Sequence, residues 1–365
     1  MKIAFFGSSL VSAYWNGAAT YYRGIVRALH ERGHQVTFYE PDAFERQSHR
    51  DIADPPWAHV VVYPAQSESN ALHAVQSARG ADLVVKASGV GVFDELLERA
   101  VLELQAPGCT VAFWDVDAPA TLDRMQGDEH DALRALVPRY DLVLTYGGGE
   151  PVRRAYLALG ARECVPIYNA LDPSTHHPVP PEPHFEAQLA FLGNRLPDRE
   201  ARVEEFFLKA ARLLPEHRML LGGSGWQGKP LPPNVKYLGH VYTAHHNAFN
   251  CTPRAVLNIS RESMARYGFS PATRVFEAAG AAACVITDAW DGLEQFFDPG
   301  TEMLVAHDGE QVAQHLRQLD GRSAHTIGQA AYRRVLAEHT YAHRAAQLEA
   351  VLQGREASQA AEFAS

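Results

Sequence analysis

Short apolar runs, each followed by a stretch with helical spacing, recur along this chain and restrict its fold more than any other feature. KIAFF (Lys2 to Phe6), QVTFYE, HVVVYP, DLVVKAS, TVAFWD and DLVLTYG are apolar nearly throughout. Strands that are apolar on both faces and separated by helices build a parallel sheet covered on both sides. Helices are expected over Asn16 to Arg32, Ser69 to Arg79, Asp94 to Gln105, Glu129 to Leu136 and Glu150 to Leu159. In the first, Ala19, Tyr22, Ile25, Val26 and Leu29 fall on one face, and Gly33 stops the run.

The alternation breaks between Ala170 and Phe185, where five prolines interrupt any period. It restarts with QLAFLG (Gln188 to Gly193), a helix over Glu200 to Leu214, and the strands RMLLGG and NVKYLG. A short helix over Ala244 to Asn250, the strand AVLNIS, the strand MLVAH and helices over Gln311 to Leu319 and Ala324 to His339 follow. The expected organisation is α/β: a Rossmann-like doubly wound domain over 1–170, a linker over 171–185 and a second such domain over 186–339. A last helix over 340–352 and a disordered tail over 353–365 complete it. Two such domains face to face would leave a cleft at the carboxyl ends of their sheets, where open α/β sheets bind ligands.

Composition narrows the function. With 46% hydrophobic and 21% charged residues, the 365-residue chain reads as a soluble globular protein, and no apolar run is long enough to span a membrane. A net charge of −10 gives nucleic acid no footprint over the surface as a whole and leaves room only for a local basic groove. Cys109, Cys164, Cys251 and Cys284 are widely spaced and read as reduced thiols of a cytoplasmic protein. No HExxH or CxxC spacing points to a metal.

Candidate site residues lie at the strand ends. Phe269 to Asp288 reads as loop, helix and strand, with Ser270 as cap and Pro271 at the first helical position. Thr273 and Arg274 then fall in the first turn, where free N–H groups and the helix dipole favour an anion, and Glu277 lies one turn deeper. That is the chemistry of a diphosphate and a ribose. The segment reads equally as an ordinary amphipathic helix with an Arg–Glu pair. Gly193, Asn194 and Arg195 end another strand, and Arg195 could pair with a diphosphate, whereas Arg199 and Glu200 read as capping or surface residues. Gly223 and Trp226 offer a glycine turn and a stacking face or lid, and Gly239, His240 and Val241 an edge for a nucleobase. Asn258 and Arg261 end the strand AVLNIS, where Arg261 is a ligand or a surface residue. In the first half, Ser8, Ser9 and Gly17 belong to a small-residue loop that admits an acceptor or makes a tight turn. Asp115 and Asp117 follow TVAFW and can divide acid and base roles, although Asp117 could also cap the next helix. Gly148 belongs to a glycine run that permits close backbone approach.

Together these motifs resemble the GT-B glycosyltransferases and, within them, the spore-maturation CgeB-like group. The resemblance rests on LNISR, SPATRVFEAAGAAACVITD, the DPG of Asp298 to Gly300, the GxxxxxRE of Gly193 to Glu200 and the WxxDxP of Trp114 to Pro119. It implies transfer of a sugar from a nucleoside diphosphate donor, UDP-hexose preferred, with no obligatory metal or cofactor. The donor would sit mainly on the second domain and an unidentified acceptor on the first, with the last helix crossing back to the first domain. Arg195, Arg261, Thr273 and Arg274 would hold the diphosphate, Arg274 as the catalytic counter-charge, and Glu277 the ribose. Asp117 would be the acceptor-side base. Many retaining members carry E-x7-E; Glu277 matches the second glutamate, but position 269 is Phe269. This leaves retention or inversion open. An inert binding protein of this fold, or a nucleotide-sugar epimerase or phosphorylase, is the alternative.

Overall fold

A computed structural model describes residues 1–14 and 16–364, of which 355–364 are described by their backbone alone. The chain forms two compact units. One comprises Met1–Tyr168 together with the chain from Tyr341 onward, and the other Asn169–Thr340.

The first unit holds a seven-stranded parallel sheet. Its strands are β1 (Lys2–Phe6), β2 (Gln35–Asp42), β3 (His59–Pro64), β4 (Leu83–Ala87), β5 (Thr110–Asp115), β6 (Leu142–Thr145) and β7 (Cys164–Pro166). Their spatial order is β3-β2-β1-β4-β5-β6-β7, so the winding reverses between β1 and β4. The central strands are buried along their length, β4 and β6 completely, as uniformly apolar runs require. Lys86 on β4 is an exception in kind. Its buried ammonium donates to the Ala87 carbonyl (2.8 Å) and pairs with Asp94 (2.8 Å), with Glu98 at 3.8 Å. Helix Tyr341–Ala364 packs on helix Ala19–Glu31, where the Tyr341 ring occupies the space a side chain at Gly24 would fill. Arg32 and His34 pair with Glu349 farther along the seam (2.5 and 2.7 Å).

The second unit holds a six-stranded parallel sheet of β8 (Leu189–Leu192), β9 (Met219–Gly222), β10 (Val235–Gly239), β11 (Ala255–Asn258), β12 (Val285–Asp288) and β13 (Leu304–Ala306). The order is β10-β9-β8-β11-β12-β13, with the reversal between β8 and β11. One face packs Phe206, Phe207 and Leu208 against Phe191, Leu221 and Leu257.

Several expectations are corrected at element level. Helix Ala118–Gly127 follows Asp117 with Pro119 in its first turn, and the Asp117 side chain makes no cap bond to it. Helix Glu262–Tyr267 and strand β7 are additional. The stretch expected over 129–136 is helical only across Ala132–Leu136, capped by Asp131. Helix Thr273–Gly280 starts after Ala272, not at Pro271; the Ser270 hydroxyl donates to the Gly268 carbonyl (2.8 Å) and caps nothing. The proline-rich stretch is bound into the second unit, with the Leu171 N–H donating to His339 O (2.8 Å). The last helix runs on through most of the stretch expected as a tail, and Ser365 lies outside the described residues.

Candidate functional site

The second sheet reverses its winding between β8 and β11, so the loops leaving those strands open the crevice where such sheets take ligands. The loop after β8 begins at Gly193. Its N–H donates to Gly222 O (3.0 Å) and its carbonyl accepts from the Trp226 indole (2.7 Å). Gly193 lacks the side chain that would collide here. A Cβ on it would lie 3.1 Å from Arg199 Nη1 and 3.3 Å from Arg274 Nη2, so two guanidinium groups converge over this one backbone position.

Arg274 is held from below. Its Nη1 donates to Asn258 Oδ1 (3.3 Å), and its guanidinium lies over the Phe191 ring, 5.5 Å from the centroid. Asn258 donates in turn to Thr287 Oγ1 (3.0 Å) and Asp288 (3.4 Å). Asp288 is fully buried and accepts from the Ser260 N–H (3.0 Å) and from Arg202 (2.6 Å). The carboxylate therefore orients the amide, and the amide orients the guanidinium.

Electrostatics single out this arginine pair. Burial, then the like charge of Arg199, push Arg274 down to about 9, against the pull of Glu277 and Asp288. Arg199 is lowered too, by burial and then by Arg261. Among the described residues the buried Nε of Arg199 finds no hydrogen-bond acceptor. A cation lowered by burial and by its neighbour, beside a second with an idle donor, makes a site that an anion relieves. Glu277 sits one turn along the helix, 18% exposed, with His176 Nε2 at 3.8 Å. Burial lowers the nearby His246, and Glu277 opposes that shift. The Thr273 hydroxyl donates to Asn169 Oδ1 (3.1 Å).

Not every expected residue does what its position suggested. Arg195 gives both fork nitrogens to Glu200 (2.7 Å each), so it is already spent. Arg261 is committed to Asp198 (2.6 Å). Trp226 is buried and packs in the core, so it is neither lid nor stacking face. Asn194 accepts from the Ser224 N–H (2.9 Å), and Gly223 N–H donates to Gly239 O (2.7 Å), which ties the loops after β8, β9 and β10 together. The His240 ring meets Tyr242 edge-on, and the Val241 carbonyl accepts from His246 Nε2 (3.1 Å). Phe269, at a φ of 46°, has its ring against Gly292. Arg199 was passed over because a charged residue opening a helix reads as a cap; its approach to Gly193 is visible only in three dimensions.

In the first unit the other candidates lie at the carboxyl ends of β1, β5 and β6. Asp115 is fully buried and takes hydrogen bonds from Ser88 (2.8 Å), Thr121 (2.9 Å), Tyr156 (2.5 Å) and the Asp117 N–H (3.0 Å). It ties the loop after β4 to helices Ala118–Gly127 and Gly149–Ala158, and its oxygens are engaged in that bracing. Ser8 and Ser9 are also buried, donating to Asn16 (2.8 Å) and Glu40 (3.0 Å). Their hydroxyls are engaged within the loop and with β2. Gly17 is exposed, and Gly148 precedes helix Gly149–Ala158. Asp117 precedes helix Ala118–Gly127 without a side-chain cap bond. Among the described residues no group of three or more His, Cys, Asp and Glu is arranged to hold a metal, and no helix is long and apolar enough to cross a membrane.

Comparison with known proteins bears on the fold. Residues 199–350 match a family model described as glycosyl transferase-like, which spans both converging arginines and Glu277. No curated protein matches the sequence. Among solved structures, Anabaena HepE in complex with UDP and glucose shares 14% identity, with 97% of this chain and 100% of that one covered at a TM-score of 0.66. Sucrose-phosphate synthase from Thermosynechococcus elongatus shares 15%, with 98% and 100% covered at 0.70. An alpha-glucosyltransferase in complex with UDP-glucose and DNA containing an abasic site shares 13%, with 96% and 99% covered at 0.69. The fold is the GT-B fold of two Rossmann-like domains.

Proposed function

We propose that this protein is a hexosyltransferase that takes its sugar from a nucleoside diphosphate donor, UDP-hexose preferred. The observation that carries the reading is the convergence of Arg199 and Arg274 over Gly193 at the reversal point of the second sheet. The two guanidinium groups take the diphosphate and Glu277 the ribose hydroxyls. Neutralising charge on the departing diphosphate, which grows as the glycosidic bond breaks, is where fixed cations accelerate transfer. They supply that counter-charge without a metal. Preference for UDP follows the UDP and UDP-glucose complexes among the structural relatives. The CgeB-like group is our assignment within the fold, on the motifs around LNISR and Phe269 to Asp288. Asp117, at the carboxyl end of β5, is the acceptor-side base in this reading.

Isothermal titration of UDP, GDP and dTDP, with EDTA present, tests it. UDP should bind most tightly. Arg274→Ala and Arg199→Ala should each weaken it by about 10- to 100-fold, as loss of a charge-assisted contact does. Arg195→Ala should change it by less than about threefold, since that fork is already engaged. If none of the three nucleotides binds, the reading fails.

A further inference from the structure

We propose that Phe44 is a stacking platform for a pyranose ring, at the carboxyl end of the first sheet. β2 ends beside β1, next to the point where that sheet reverses its winding, and the chain turns there through Phe44 and Glu45. Both residues have a φ of 56°, a region that side-chain-bearing residues rarely occupy, least of all in succession. The result is an aromatic ring delivered to the surface, with the residue 52% exposed.

The ring is not loose. A Cβ on Gly91, in the loop after β4, would come within 2.7 Å of Phe44 Cε2, so the ring lies against bare backbone. Behind it stands Arg46, buried, with its guanidinium carbon 4.9 Å from the ring centroid. Arg46 Nη1 donates to Ser8 O (3.1 Å) and Val90 O (3.4 Å), the loops on either side of the reversal point. Glu45, the next residue in the chain, is exposed. On the same rim Tyr14, 38% exposed, stacks on His49 with centroids 4.0 Å apart.

A half-exposed ring held against backbone fits a sugar, because the C–H face of a pyranose meets the negative π-face. A single ring is too small a patch for a protein partner. A nucleobase would also stack, but Glu45 and a net charge of −10 oppose the phosphates that come with it. Naming this sugar the acceptor rests on the transfer reading above; the binding itself does not.

Saturation-transfer NMR on the full chain with methyl glucoside, galactoside and mannoside tests the site. Wild type should transfer saturation to pyranose ring protons. Phe44→Ala should cut the transfer about tenfold, and Phe44→Trp should restore it. An unshifted melting curve would show that Phe44→Ala still folds. The proposal is overturned if wild type shows no transfer, if Phe44→Ala matches wild type, or if a short DNA duplex binds in a Phe44-dependent way. Calorimetry with UDP keeps the two readings apart. Equal affinity in wild type and Phe44→Ala confines the loss to the sugar site, whereas no UDP binding in wild type sinks the transfer reading alone.

Discussion

Charged residues in the interior separate two kinds of design. At Arg199 and Arg274, burial and neighbouring like charges leave positive charge waiting for a ligand. At Lys86, Asp94 and Glu98, charges are placed among themselves, and one of them fits badly. Burial pushes the Glu98 carboxyl up to about 7, with Lys86 only partly opposing. Its unfolded value is about 4.3. A group raised on folding contributes stability that is complete below the unfolded value and is lost as pH rises through the folded one. Glu98→Gln should therefore become more stable than wild type as pH climbs from about 4 to above 7, by on the order of 2 kcal/mol. Urea unfolding of both proteins at pH 5 and pH 8 checks this; a difference that does not change with pH would rule the idea out. Such pairings were not legible in the sequence, where Lys86 is one polar residue in an apolar run. Arg274 and Glu277 were legible, because helical spacing alone puts them on neighbouring turns. Asp115 looked like a site residue because polar groups at strand ends usually are, and only its four donors reveal a brace.

Elements were easier to read than their joints. The apolar runs became the strands, since a doubly covered parallel sheet tolerates little else. The errors fell where one residue type serves two purposes. Serine caps a helix or closes a turn, and Ser270 closes one. The seam between helices Ala19–Glu31 and Tyr341–Ala364 shows what spacing cannot supply. Gly24 breaks no rule of helical pattern, yet the Tyr341 ring fills its missing side chain. Gly24→Ala should gain about 1 kcal/mol in helix propensity. The overpacking penalty of about 1–3 kcal/mol should outweigh it, since Tyr341 is a buried ring with no room to retreat. The expected net effect is a lower denaturation midpoint for the first unit, followed by circular dichroism in guanidinium. A raised midpoint would mean that the seam yields more easily than its packing suggests.

At the scale of the molecule, the second unit is one unbroken stretch, Asn169–Thr340, and contains every residue assigned to the donor. Expressed alone, 169–340 should melt cooperatively and bind UDP within about threefold of the full chain. Loss of UDP binding from a folded fragment would show that the donor site is incomplete without the rest. The first unit has no such independence, because its chain is interrupted and resumes only at Tyr341. This nesting sets an order of events during synthesis. The helix Ala19–Glu31 leaves the ribosome early, but its partner across Gly24 is made only after the whole of 169–340. At about 5–20 residues per second, the roughly 310 residues between them make that wait on the order of fifteen to sixty seconds. For that interval Tyr21 and the bare flank of Gly24 lack the cover of Tyr341, and apolar surface of the nascent first unit stays open while the unit made after it is already closing.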